Sequence, residues 1–272
     1  IDLNHPLARI PLTVAARVRD RTGCVSEHGG HCKDVVQDML AKGTGLQAPQ
    51  DNALDTCFTE ESCARLDMRD DSLFYASPRM VPHLDATAST QIKQLYGEHL
   101  QPGMQVLDLM SSWDSHLPDT IDGLTVTGLG MNAEELAQNK RLDETVIQDL
   151  NKRPRLPFDD DRFDAAICTA SIEYLVRPVK VMRELTRVLK PGAMVVITFS
   201  DRWFPTKAIQ IWTELHPFER LGLTLEYFRQ AGNYSGLGTE TRHGLPRPAD
   251  DKYTGQLAFS DPVFAVRGQS CA

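Results

Sequence analysis

Residues Gln105-Val106-Leu107-Asp108-Leu109-Met110-Ser111-Ser112-Trp113 constrain the fold more than any other stretch of the chain. An apolar run carrying one acid that passes into small polar residues reads as a buried strand and the loop at its carboxyl end, where open α/β sheets bind ligands. A ligand pocket is therefore expected beside Asp108. The loop lacks the glycine run that usually lets a backbone approach a ligand at this place, so the context has to come from the rest of the chain.

That context is an alternation of strand and helix patterns from about residue 87, as a parallel sheet with right-handed crossovers requires. A helix over 87–100 leads through Pro102-Gly103 into a strand over 105–109. A strand over 124–129 follows, and Asn132 stands where it can cap a helix over 133–139. Further strands are expected at 145–148, 163–169 and 194–200, with a helix over 179–189 stopped by Pro191-Gly192. Helices over 206–215 and 217–230, a Gly-rich hairpin-like region and a strand over 262–267 complete a doubly wound α/β sheet, with two strands at its edge. Residues 1–73 read differently. Short helical patterns at 12–19 and 32–41, broken by Gly29-Gly30, Gly43, Gly45 and Pro49, predict a small, mostly helical lobe ahead of a catalytic domain over 74–272.

Composition excludes several classes. At 41% hydrophobic and 24% charged, the chain is ordinary globular material, and no run approaches the roughly 18 apolar residues of a membrane span. A formal charge of −8 disfavours a broad polyanion-binding face, so nucleic acid and membrane are not expected as partners and a small-molecule substrate is. Ile1-Asp2-Leu3-Asn4-His5-Pro6 lacks the basic start and apolar centre of a signal peptide, and cytoplasm is the expected location. Six cysteines are too sparse for a disulfide framework, so reduced thiols are expected. Cys24, His28, His31 and Cys32 have zinc-ligand chemistry but no zinc spacing, and Cys57 and Cys63 form no CxxC pair, so no metal is expected.

Two later segments carry a resemblance. Leu156-Pro157-Phe158-Asp159-Asp160-Asp161-Arg162-Phe163-Asp164-Ala165-Ala166, and the helix ending in Leu189-Lys190-Pro191-Gly192, lie at a fixed distance from Val106-Leu107-Asp108-Leu109. Together they resemble the class I methyltransferases dependent on S-adenosylmethionine, type 11-like, over roughly residues 75–267. The resemblance implies a seven-stranded, mostly parallel, Rossmann-like sheet and S-adenosylmethionine as cofactor. The loop Ser111-Ser112-Trp113-Asp114-Ser115-His116-Leu117-Pro118, with Phe74 to Asp85 and Phe199 to Lys207, resembles a divergent branch of methyltransferase-like proteins of bacteria, algae and plants.

The resemblance also implies roles. Asp108, with backbone of Leu109, Met110, Ser111 and Ser112, lies by the methionine part of the cofactor, where a carboxylate accepts from an amino group. The family's second strand usually ends in an acid that holds both ribose hydroxyls; here that position is Gly130, followed by Met131 and Asn132. Asn132 is the substitute, or a helix N-cap only. Asp149 and Leu150 correspond to the adenine contacts.

For the acceptor, Tyr75, Arg79, His83 and Asp85 form a lid over the cofactor or a solvated loop in which Pro78 and Pro82 discourage a regular helix. Arg79, Arg202 and Lys207 are the cations for a substrate carboxylate. His116, Tyr75 and His83 are the catalytic candidates, with His116 equally readable as a structural hydrogen bonder. The expected function is methyl transfer to a small-molecule acceptor, a carboxylate-bearing one among those considered, with S, N, O or C as the atom methylated. The alternative is a partner protein that keeps the fold without the catalysis, since a fold does not determine a function.

Overall fold

The structure, a computed structural model, describes residues 42–43 and 61–271. The helices expected at 12–19 and 32–41, and the residues Cys24, His28, His31, Cys32 and Cys57, lie outside the described residues. Seven strands form the body of the domain: β1 (Gln105–Ser111), β2 (Thr125–Gly130), β3 (Glu144–Ile147), β4 (Phe163–Thr169), β5 (Leu189–Phe199), β6 (Tyr234–Arg242) and β7 (Val263–Ser270). Their order is β6-β7-β5-β4-β1-β2-β3, and Lys42–Gly43 adds a short antiparallel pairing outside β6. β1 to β5 run parallel, whereas β7 is antiparallel to both β5 and β6. The chain winds outward from β1 to β3, returns to β4 on the other side of β1, and so creates a topological switch point between β1 and β4.

Successive strand residues face opposite sides of a sheet, and both sides here are covered. In β1, Val106 joins the core on one face while Leu107 and Leu109 join the core on the other. β4 divides in the same way, Ala165 and Ile167 against Ala166 and Cys168. The first face is covered by α2 (Ala86–Gly97), which buries Ala88, Ile92, Leu95 and Tyr96 at helical spacing. Its start is capped by Asp85, whose carboxylate accepts from Ala88 N. The opposite face is covered by α4 (Pro178–Val188) and α6 (Pro217–Ala231), between which Trp212 on α5 (Gln210–Glu214) is fully buried against Phe199. Two shorter helices, α1 (Asp71–Phe74) and α3 (Ala133–Gln138), stand at the carboxyl edge of the sheet. No helix among the described residues is long and apolar enough to cross a membrane.

Three expectations change. The helix expected to reach residue 189 ends at Val188, because Leu189 already pairs with Phe163 and β5 begins ahead of Pro191-Gly192, where the register shifts. The helix expected over 206–215 shrinks to Gln210–Glu214. Ile209 is extended there and bridges to Arg65, while Lys207 is drawn inward by acids and carbonyls. Residues 61–73 are hydrogen-bonded into the larger domain instead of being set apart at residue 73: Asp67 N donates to Thr206 O at 2.8 Å and Gln210 N to Ala64 O at 2.7 Å.

The first loop leaves β1 through a register shift between Leu109 and Ser111 that sets Ser111 opposite Gly130 on β2. A Cβ at position 130 would stand 2.3 Å from the Ser111 carbonyl oxygen, so only glycine fits. Gly130→Ala is expected to lower stability by about 1–3 kcal/mol through overpacking, measured as a lower denaturation midpoint at unchanged slope. An unchanged midpoint would contradict the close approach.

Candidate active site

The carboxyl ends of β1, β2, β3 and β4 open onto a cavity of about 950 Å³, at the large end of ligand sites. Its floor is built at the switch point. Met110 and Ser111 end β1, Gly130 ends β2 and leads into Met131 and Asn132, Gln148 to Leu150 follow β3, and Thr169 ends β4 ahead of Ala170 and Ser171. Two non-glycine residues on this floor have left-handed backbone, Met110 with φ 58° and Ala170 with φ 46°. Strain of this kind persists only where surrounding structure over-determines it, and it concentrates at functional sites.

Serines and an asparagine hold the first loop where glycines would otherwise shape it. Asn139, at the end of α3, donates from Nδ2 to Ser112 O and to Ser115 Oγ, both at 2.8 Å. Ser112 Oγ donates to Glu135 Oε2 at 2.6 Å. Trp113 donates from Nε1 to Val81 O at 3.3 Å, which ties the loop to the strap over residues 75–85 and leaves the cavity open beside the indole.

Asp108 is 2% exposed on the face covered by α2. Ser111 Oγ donates to its Oδ2 at 2.6 Å, and Ser115 also bonds its carboxylate. Burial nevertheless prevails over those bonds and raises the carboxyl to about 7. Leu109, whose backbone was expected beside the cofactor, is absent from the cavity lining, and its side chain packs into the core on the opposite face, as strand alternation dictates.

Asn132 caps α3. Its Oδ1 accepts from Glu134 N and Glu135 N, and its Nδ2 donates to Tyr75 O at 2.8 Å and Ala76 O at 3.4 Å. All its polar capacity is committed. Asp149 uses Oδ1 to accept from Asn151 N and Lys152 N, so it shapes the turn after β3 while lining the cavity with Leu150.

The strap brings Tyr75, Arg79 and His83 to the cavity, but no regular helix aligns them. Burial raises the Tyr75 phenol, which keeps its proton at neutral pH, and burial lowers His83 and His116, which favours neutral imidazoles. His116 Nδ1 is 3.0 Å from Ser89 Oγ, and its backbone N donates to Asp114 Oδ1. Arg79 Nη2 donates to Phe74 O at 2.9 Å, and its guanidinium stacks on the Phe74 and Phe204 rings. Arg202 donates from Nε and Nη2 to Asp261 Oδ1, and its side chain still borders the cavity.

Lys207 departs from expectation. It is wholly buried outside the cavity lining, paired with Asp71 at 3.0 Å and Asp67 at 3.4 Å, and donates to the carbonyls of Asp67 and Arg69. An ammonium so enclosed locks the segment before the strap onto the loop after β5 and has nothing left for a substrate. Sequence reading missed Glu135, Tyr174 and Lys252, which also line the cavity. Glu135 lies on the short helix α3, and Lys252 comes from the distant loop between β6 and β7. Cys63 is buried, which raises its thiol, and no cluster of metal-ligating side chains occurs among the described residues.

Residues 115–197 match the family described as Methyltransferase domain. The chain is 28% identical over 153 residues to 24-methylenesterol C-methyltransferase 2 of Arabidopsis thaliana, covering 53% of this chain and 42% of that protein. It is 32% identical over 105 residues to a demethylmenaquinone methyltransferase of Renibacterium salmoninarum, covering 38% of this chain and 44% of that protein. Among solved structures it is similar to a methyltransferase from Aquifex aeolicus, at 18% identity and a TM-score of 0.44, covering 69% of this chain and 91% of that one. The chain spans less than half the length of these curated relatives.

Replacing Lys207 with Met is expected to cost roughly 3 kcal/mol, the low end for breaking a buried ion pair, since Arg65 still faces Asp71. Thermal unfolding reads the loss. A variant as stable as the parent would show that this ion pair does not anchor the segment.

Proposed function

We propose that the chain carries a domain of the class I S-adenosylmethionine-dependent methyltransferases and transfers a methyl group from S-adenosylmethionine to a small-molecule acceptor. The observation that carries this reading is the cavity at the switch point, with the buried Asp108 carboxylate on its floor. When bound, the cofactor supplies an electrophilic methyl on a sulfonium, and the protein's part is to align donor and acceptor and to exclude water.

In this reading Asp108 accepts from the cofactor's amino group, with the backbone of Met110 to Ser112 alongside. Asp149 Oδ2, 4.0 Å from Lys152 Nζ, accepts from an adenine amino group, Leu150 supplies a backbone amide beside it, and Asn132 shapes the wall between them through its cap. The strap and the loop after β5 then form the acceptor end. Tyr174 and Phe204 line the cavity with ring centres 5.9 Å apart, and Phe74, outside the lining, packs on Phe204 at 5.3 Å. Such a wall favours a flat, largely apolar acceptor, and the relatives named for a methylenesterol and demethylmenaquinone are consistent with that class. For an acceptor carboxylate, Arg79 and Lys252 are the remaining cations, because Lys207 is enclosed and Asp261 neutralises Arg202. His116 or His83, neutral at the cavity wall, serves as base where the acceptor atom carries a proton, and Tyr75 donates a hydrogen bond.

Calorimetry with S-adenosylmethionine tests the reading. Micromolar affinity is expected, and absence of binding at millimolar cofactor, weaker than about −4 kcal/mol, would overturn it. Affinity should also depend on pH. With its carboxyl held at about 7, Asp108 ionises as pH rises and then attracts a cationic amino group, so binding is expected to tighten from about pH 6 to about pH 8. The ligand-free protein should lose stability as pH rises from about 4, where the unfolded carboxyl ionises, to about 7, and level off above it, because a carboxyl whose folded pKa lies above its unfolded one is stabilised by its proton. In Asp108→Asn both trends should flatten. Persistence of both would assign the titration elsewhere.

A further inference from the structure

We propose that Glu135, on α3, holds the ribose diol of the adenosyl cofactor in place of an acid at the end of β2. The proposal rests on the cavity being the adenosyl site. It starts from a steric fact: no side chain fits at position 130, because the Ser111 carbonyl occupies the space a Cβ would need, 2.3 Å away. The serine loop and the missing acid are therefore one coupled change. Once the register shift sets Ser111 against Gly130, a carboxylate there is excluded.

The other polar side chains on this wall are already committed. Asn132 has both amide atoms engaged in capping and in holding the strap, as described above. Gln148 donates from Nε2 to the carbonyls of Arg153 and Arg155, each at 2.8 Å. Ser112 donates its hydroxyl to Glu135 itself.

Glu135 differs. It lines the cavity at 8% exposure, its Oε2 accepts from Ser112 Oγ at 2.6 Å and its Oε1 from Arg79 N at 2.8 Å. A carboxylate offers about four lone-pair sites, so each oxygen keeps one acceptor position, matching the two donors of a vicinal diol. The two bonds it already accepts come from the first loop and from the strap, so the carboxylate is oriented before any ligand arrives.

Calorimetry with S-adenosylhomocysteine and its 2′-deoxy and 3′-deoxy analogues tests this, on the parent protein and on Glu135→Ala and Glu135→Gln. For the parent, removing either hydroxyl should weaken binding at least about tenfold, the scale of a hydrogen bond to a charged group. For both variants the full ligand should weaken by a similar factor, while the further loss on hydroxyl removal should fall below about twofold, the signature of a direct contact in a double-mutant cycle. Should Glu135→Ala fail to fold, the Glu135→Gln comparison carries the same outcome. Discrimination of the deoxy analogues that is unchanged in a variant, or absent in the parent, overturns the diol contact and leaves the methyltransferase reading standing. If the parent does not bind S-adenosylhomocysteine at millimolar concentration, both fall.

Discussion

The parallel pairing of β1 with β2, and the register shift that ends it, is the constraint on which the site depends. It brings the Ser111 carbonyl onto Gly130 and gives Met110 a left-handed backbone without a glycine. It also frees Ser112 to meet Glu135. Where other sheets of this type let glycines make the loop compliant, this one fixes a stiffer loop from outside. Glu135 and Asn139 on α3 hold it through hydrogen bonds, and Trp113 fastens it to the strap. Rigidity supplied by neighbours rather than by the loop itself makes the positions of Asp108 and of α3 interdependent.

A second dependence ties the strap to the sheet. Asp71 is bonded at once by Arg65, Lys207 and Asn151, which belong to the segment before the strap, the loop after β5 and the loop after β3. Buried charges are costly unless paired, so these contacts hold the three segments to one another. On the other side of the cavity, Asp261 accepts from Arg202 and Arg247, and Asp261 N donates to Asp85 Oδ2 at the start of α2. The cavity thus lies between two ionic clasps, one holding the amino-terminal segment and the other the loop between β6 and β7.

Much of this was legible in the residues. Apolar runs located six of the seven strands, with β6 expected only as part of a Gly-rich hairpin-like region, and the two covered faces follow from strands that are apolar on both sides. The site's position was legible for the same reason, since a parallel sheet that reverses its winding leaves one crevice. The side chains were less so. Lys207 was placed in the site from its position in the chain, yet it is captured by Asp71. Glu135 escaped notice because a carboxylate on a short polar helix looks solvated until Ser112 and Arg79 are folded against it.

The amino-acid sequence by itself determined the sheet, its winding and the presence of Asp108 at its carboxyl edge, because hydrophobic period and turn chemistry are local properties that every fold of this chain must respect. Only the tertiary structure decided which cations are available, which amide is consumed as a cap and which acid faces the cavity. Those outcomes depend on partners far apart along the chain, such as Lys207 with Asp71 or Asn132 with Tyr75, and on distances of a few ångströms that no spacing of residues encodes.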